Sequence, residues 1–272
     1  MQGKQLKDNP KFFYFCRVKS LEQIIEPIRA DLAQFEDFFD RSLVADTEPM
    51  NSVIRYVHEK KGKRMRPVLV MLAAKCFGEV GEQTLRAATF VEMVHSATLI
   101  HDDVVDDSDQ RRGLPSVKAR FGNLSAVLAG DYLLAKAMML LSRPTDNAIL
   151  NEMLHTAAAM SEGELLQSKK SASYLDIITL KTAMLMRSCC IAGAMSVDAA
   201  PEQIQRLSDF GINFGILFQL RDDLLDGENT AEAQSLLPKY LQKTLDSLTY
   251  LPTSETLEVL RDLTMFCAER EG

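Results

Sequence analysis

Several things are scarce or missing in this 272-residue chain, and each absence removes a class of function. There is no excess of positive charge: the formal net charge is −7 and the pI is near 5.3. An acidic protein gains nothing from bulk electrostatics in holding nucleic acid or anionic lipid, so a general nucleic-acid binder is excluded. The five cysteines (Cys16, Cys76, Cys189, Cys190 and Cys267) are odd in number and show no C-x-x-C spacing. That argues against a disulfide framework and for reduced, buried thiols in a cytoplasmic protein. No apolar run reaches the roughly 18 uncharged residues that a transmembrane helix needs. The run Phe12–Cys16 is too short for a span or a signal core, though its aromatic residues could touch a membrane surface. There is no Trp, Gly numbers only 13, and no low-complexity tract or fixed-period repeat is visible. No Ser-His-Asp or Cys-His arrangement stands out, so nucleophilic catalysis by a side chain is not indicated.

What is present is a globular composition, 46% hydrophobic and 25% charged. A chain of this length can bury roughly 70–75% of its unfolded surface. Almost every segment follows a 3.6-residue period and no β-hairpin signal appears. Ser20-Leu21-Glu22-Gln23 reads as a capping box opening a helix to about Leu43. A second helix follows Pro49 and ends in Lys60-Lys61-Gly62-Lys63-Arg64; a third starts at Pro67 and stops at Gly78. The next begins near Glu82 and runs through Glu92 and His101 to the first aspartate cluster, with others over 123–142, 146–169, 174–196, 201–226, 231–250 and 254–270. The segments 83–101, 123–141 and 203–220 are apolar on most faces, as central helices are. The expected fold is all-α, one domain over residues 1–272, a bundle of about ten helices.

Two acidic clusters dominate the chemistry: Asp102-Asp103-Val104-Val105-Asp106-Asp107 and Asp222-Asp223-Leu224-Leu225-Asp226. Each closes an apolar helix, where unpartnered carboxylates are costly to desolvate. Residues four apart share a helix face, so Asp102 points with Asp106 and Asp222 with Asp226, while Asp103 and Asp223 sit one position round. Oxygen ligands without His or Cys suit Mg²⁺ or Mn²⁺ rather than zinc. Mg²⁺ takes only one or two carboxylates and completes its shell with water and phosphate, so two facing clusters would hold a diphosphate through bridging metals. A single acidic helix end is commonly a solvated surface; a matched pair is not so easily dismissed.

The cations complement them. Gly62-Lys63-Arg64-Met65-Arg66-Pro67 puts three positive charges just before a helix, and Arg111-Arg112-Gly113 follows the first acidic cluster. Such groups at a helix N-terminus make an anion site, although a lone basic run is usually a solvated patch. Together the charges point to two anion sites, one metal-bridged and one metal-free. Lys181 lies in an apolar stretch, where it could simply snorkel, and Gln219 needs a partner if it is buried.

With these pieces the chain resembles the trans-type polyprenyl diphosphate synthases of the isoprenoid synthase superfamily. The likeness is carried, in order, by Gly62–Pro67, the run from Glu92 through His95, His101 and Asp102 to Asp106, Arg111-Arg112-Gly113, Gly130-Asp131-Tyr132-Leu133, Gly163-Glu164-Leu165, Lys181-Thr182-Ala183 and Phe218–Asp226. The resemblance implies a helical bundle around a central cavity. In it Asp102, Asp103 and Asp106 with Asp222, Asp223 and Asp226 would bind Mg²⁺ on an allylic diphosphate, served also by Arg111, Lys181 and Gln219. Lys63, Arg66, His95 and Arg112 would hold isopentenyl diphosphate, and Thr182 and Gln219 would lie near the developing carbocation. The allylic C–O bond would ionise as metals and cations stabilise the leaving diphosphate, the isopentenyl double bond would attack, and a proton would leave to pyrophosphate. A homodimer through central helices is implied as well.

The sequence departs from the family pattern in three places. Lys61 stands where a second glycine usually precedes Gly62, and the stretch from Ser168 to Tyr174 is short. After Asp226 a loop carrying two Gly-Lys pairs is expected, but Gly227-Glu228-Asn229-Thr230 leads almost directly into the C-terminal helices. A catalytically weakened helical subunit is therefore a rival reading. A class I terpene cyclase is another, but it would not need the Lys63 and Arg66 pair. A di-iron bundle would use Glu92-x-x-His95 and Glu152-x-x-His155, yet leaves both aspartate clusters unexplained. Small side chains at Ala97 and Thr98, with Val94 and Val91 further along, would leave a channel open for a long product. On that placement Ala97→Phe should shorten the product.

Overall fold

The computed structural model describes residues 19–59 and 62–270. The aromatic run Phe12–Cys16 and the pair Lys60 and Lys61 lie outside the described residues. The chain is helical nearly throughout: α1 (Leu21–Ile24), α2 (Arg29–Ser42), α3 (Glu48–Glu59), α4 (Met65–Lys75), α5 (Glu82–Val105), α6 (Val117–Phe121) and α7 (Asn123–Leu140) form the first half. The second half is α8 (Asn147–Lys169), α9 (Tyr174–Ile178), α10 (Met184–Met195), α11 (Pro201–Asp226), α12 (Thr230–Leu248) and α13 (Glu255–Glu269).

The start of the chain shows why local signals have limits. The capping box forms: the Gln23 amide donates to Ser20 Oγ at 3.3 Å, and the Ser20 amide donates to Gln23 Oε1 at 3.0 Å. The helix it opens is not continuous to Leu43, however. Pro27 has no amide to donate to residue 23, and a short 3₁₀ turn, Glu26–Ile28, separates α1 from α2.

α10 forms the centre, packed against α4, α8 and α11, and α5 lies against α4 and α7. Val68 to Ala74 on α4 are wholly enclosed, as are Phe35, Phe39, Phe210 and Phe214. The continuous stretch Tyr174–Met195 is long and apolar enough to cross a membrane, but it carries Lys181 and Arg187 and is mostly buried among its neighbours, as a core helix is. Cys189, Cys190 and Cys267 are buried thiols, and burial pushes Cys189 and Cys267 up to about 12, out of reach of ionisation.

Two differences from the sequence reading bear on function. α7 is not central: Leu124, Val127, Leu128, Met138 and Met139 are exposed along one side of it. Apolarity all round marks a face to be covered, but it does not say by what. The second difference is a small hairpin, β1 (Gln110–Arg111) with β2 (Leu114–Pro115), paired antiparallel. Its two loop residues, Arg112 and Gly113, both take positive φ (53° and 74°), as the tightest hairpin loops require. Strands of two residues are too short to show alternation.

Candidate active site

A cavity of about 1010 Å³ opens between α4, α5, α8, the turn Thr179–Ala183 and α11. Asp102 from α5 and Asp222 from α11 both line it, so the two acidic clusters meet at one site. Asp106 and Asp226 lie one turn further along their helices and are exposed. Asp103 and Asp223 are not on the cavity wall. They are 2% and 6% exposed, because successive residues turn about 100° round a helix. Each is satisfied elsewhere. Arg111 Nε donates to Asp103 Oδ1 at 2.9 Å; Tyr174 Oη and Gln219 Nε2 donate to Asp223.

The carboxylate on α5 is short of positive charge. Burial, with Glu164 nearby, pushes Asp102 up to about 6 against the pull of Lys181. Lys181 is itself shared, with Glu164 Oε2 at 2.5 Å and Gln167 Oε1 at 2.7 Å. The carboxylate on α11 has a cation of its own, since Arg270 Nη2 donates to Asp222 Oδ1 at 2.5 Å with its guanidinium 4.2 Å above the Phe218 ring. Burial raises Asp222 nonetheless.

The basic face gathers Lys63, Arg66, His95, Arg111 and Arg112 on the same cavity. His95 is held well below the ordinary imidazole range by burial and by Arg66, Arg112, Arg111 and Arg64 around it, so it is neutral at pH 7. The buried Nε of Arg66 has no hydrogen-bond partner. A cavity with this many cations on one side is built for a strong anion.

Between the two faces, residues Thr179–Ala183 widen into a π turn inserted between α9 and α10, a distortion that recurs at functional sites. It brings Lys181 and Thr182 to the cavity wall. Thr182 Oγ1 donates to Gln219 Oε1 at 2.8 Å and Gln219 passes the chain on to Asp223 at 2.7 Å, which answers the need of that glutamine for partners. Gly163 makes room for the turn: a Cβ there would sit 3.0 Å from the Lys181 amide nitrogen. At Gly130 a Cβ would lie 2.1 Å from His101 Nε2, so any larger residue there would displace the His101 ring beside Asp102.

Sequence reasoning missed Arg270, Tyr174, Glu164 and Glu36, and only Glu164 lay within a quoted motif. The channel placement also changes. Thr98 lines the cavity, whereas Ala97, Val94 and Val91 are buried behind it in the core. α11 ends at Asp226 and α12 begins at Thr230, with Gly227 and Asn229 of the connection between them in the left-handed region.

The donor set fits Mg²⁺ or Mn²⁺ bound together with a phosphate. Asp102 offers oxygen and lacks countercharge, and among the described residues no group of three His, Cys, Asp or Glu could hold a metal alone. The di-iron arrangement is not formed, since Glu152 is engaged by Arg187 at 2.7 Å and Ser188 at 2.8 Å, and Glu92 by Arg64 at 2.6 Å.

Residues 47–235 match the model of a family described as polyprenyl synthetase. The octaprenyl diphosphate synthase of Escherichia coli K12 is 34% identical over 214 residues, which cover 76% of this chain and 66% of that protein. An all-trans-nonaprenyl-diphosphate synthase (geranyl-diphosphate specific) of Rhodobacter capsulatus is 36% identical over 219 residues, 78% of this chain and 67% of its own length. The chain thus spans about two thirds of the length of these curated relatives. Among solved structures, a polyprenyl synthase from Caulobacter crescentus CB15 complexed with calcium and isoprenyl diphosphate superposes with a TM-score of 0.87. Its sequence identity is 25%, and the match covers 94% of this chain and all of that one. A decaprenyl diphosphate synthase from Rhodobacter capsulatus gives 0.83 at 26% identity, covering 92% and 98%.

Proposed function

The chain belongs to the polyprenyl synthetase family, and on that premise we propose that it condenses an allylic diphosphate with isopentenyl diphosphate to give a long-chain trans-polyprenyl diphosphate. The observation that carries this is the meeting of Asp102 and Asp222, from helices 120 residues apart in sequence, on one cavity whose other face is cationic. A terpene cyclase would have no use for Lys63 and Arg66 on that second face, and the named relatives favour a synthase.

In this reading Asp102 and Asp222 are the carboxylates that would hold the metal, with Asp106 and Asp226 exposed at the rim. Asp103 and Asp223 act through what they hold, namely Arg111 and Gln219. Mg²⁺, when bound, would offset charge developing on the leaving diphosphate. Lys63, Arg66 and Arg112 grip the isopentenyl diphosphate, and neutral His95 donates one hydrogen bond to it. Lys181 and Arg111 attend the allylic diphosphate. Thr182 and Gln219 turn oxygen dipoles toward the carbocation while their mutual hydrogen bond fixes their orientation. No side chain forms a covalent bond.

The growing chain runs past Thr98, so Thr98→Phe rather than Ala97→Phe should shorten the product; an unchanged length would remove Thr98 from the channel. The exposed apolar side of α7 supports a homodimer with a second copy covering it. Its free thiols among the described residues fit the cytoplasm. The test of the activity is chromatography of products after incubation with isopentenyl diphosphate, an allylic primer and Mg²⁺. Elongated product is expected from the wild type and not from Asp102→Ala or Asp222→Ala. Absence of product from the wild type alone, with product on adding a partner synthase, would make this chain the weakened subunit instead.

A further inference from the structure

One arginine of the basic loop, Arg64, borders the cavity with its guanidinium already tied to two carboxylates. Arg64 Nε donates to Glu36 Oε1 at 2.8 Å and Nη1 to Glu92 Oε1 at 2.6 Å, while Nη2 is buried. Its guanidinium also lies 4.8 Å from the centre of the Phe39 ring. The backbone of the same residue is left-handed, at φ 52° and ψ 30°, immediately before α4 begins. That conformation costs a non-glycine residue about 1–2 kcal/mol and persists only where the surroundings over-determine it. Here they do so through two carboxylates, from α2 and α5, and an aromatic face.

The turn at Arg64 sets the neighbours that matter. Lys63 precedes it on the cavity, Arg66 follows it by two residues, and a Cβ on Gly62 would stand 3.0 Å from the Arg112 guanidinium, so that arginine lies against the same loop. Glu92 is one helical turn from His95.

Resting on the synthase reading, we propose that Arg64 is a positioning residue: clamped by Glu36 and Glu92, it holds the left-handed turn that aims Lys63, Arg66 and Arg112 at the isopentenyl diphosphate. Glu36 belongs to this lock although it does not line the cavity. Its sign gives the decisive test. Removing a negative charge near an anion site should tighten anion binding by simple electrostatics, whereas loosening a lock should weaken it.

The experiment is calorimetric titration of metal-free protein with isopentenyl diphosphate, alongside steady-state kinetics with each substrate varied. Glu36→Gln is expected to weaken isopentenyl diphosphate binding and raise its KM by about tenfold, with kcat and the KM of the allylic primer within about twofold. Arg64→Lys, which cannot fork between two carboxylates, should behave like Glu36→Gln. Arg64→Gly should bind better than Arg64→Met, because glycine adopts positive φ freely although neither keeps the guanidinium. Unchanged or tighter binding in Glu36→Gln, while Arg66→Met loses binding, overturns the lock and leaves the synthase reading standing. Failure of the wild type itself to bind isopentenyl diphosphate overturns both. Equal loss in the glycine and methionine variants also overturns the lock, since the turn would then not be what Arg64 holds.

Discussion

The two aspartate clusters are spelled alike and live differently. On α5, Asp102 faces the cavity with burial and nearby Glu164 outweighing the pull of a shared Lys181 and of Arg111, and its carboxyl rises to about 6. On α11, Asp222 has a buried arginine of its own, Arg270. One position along, the pattern inverts: Asp103 is held by a cation, Arg111, and Asp223 by two neutral donors, Tyr174 and Gln219. D-D-x-x-D spacing therefore decides which carboxylate enters the cavity, while the charge balance at each wall is supplied by residues outside the motif. Among the described residues no cation is bonded to Asp102 on the α5 wall, whereas Arg270 is bonded to Asp222 on the α11 wall.

The largest effect expected from that contrast is in catalysis. Asp102→Ala should lower kcat about a hundred- to a thousandfold, since Asp106 is exposed at the rim and Glu164 is already paired with Lys181. Asp222→Ala should cost about tenfold less, because Arg270, freed from its partner, still faces the cavity as a cation for diphosphate. Single-turnover rates for the two variants measure the gap, and equal losses would show that the walls are equivalent.

A step down in size comes from removing the built-in cation. Arg270→Gln leaves Asp222 partly buried without its countercharge, which should cost the metal-free protein about 1–2 kcal/mol after allowance for solvent screening. Mg²⁺ with pyrophosphate should recover more stability in this variant than in the wild type. Thermal melts with and without the pair read this directly; the same recovery in both proteins would mean that Arg270 does not compete for Asp222.

How much of this was legible in the residues follows the range over which each contact is made. Asp102, Asp222, Lys63, Arg66 and Arg112 announce themselves because helical spacing and local charge are sequence properties, and all of them line the cavity. Most helices were readable for the same reason. The break at Pro27, the hairpin that separates Arg111 from Arg112, and the π turn at Lys181 were not, since each is a one-turn deviation inside a pattern that stays periodic. Arg270 and Glu36 reach the site from 48 and 28 residues away from their partners, and no short motif encodes such a distance. The outward side of α7 was read as core, because apolarity predicts burial without naming what covers it.

The contrast also has a pH signature. The folded Asp102 carboxyl, at about 6, lies above its ordinary value of 3.8, so the unfolded chain ionises first as pH rises. Stability is therefore lost between roughly pH 4 and 6 and stays lost above that window. Asp102→Asn removes the penalty and should stabilise the metal-free protein at pH 8 by on the order of 1 kcal/mol, discounted because the group is partly solvated. Near pH 4 the difference should vanish. Denaturant melts across that range check it, and a variant less stable than wild type at pH 8 would show that Asp102 is already adequately paired without metal.

The smallest effect should come from the neutral partners of Asp223. Tyr174→Phe removes one hydrogen bond to a carboxylate that keeps Gln219, a loss of about 0.5–1.5 kcal/mol. Because Gln219 still bridges Thr182 and Asp223, the orientation of the pair survives and kcat should fall only about threefold. Arg111→Met is the matched change on the other helix. It leaves Asp103, 2% exposed, buried without its cation, so it should cost more than Tyr174→Phe in both stability and rate. If the tyrosine variant costs as much as the arginine variant, Asp223 is the more strained of the two inner aspartates, and the burden lies on α11 rather than α5.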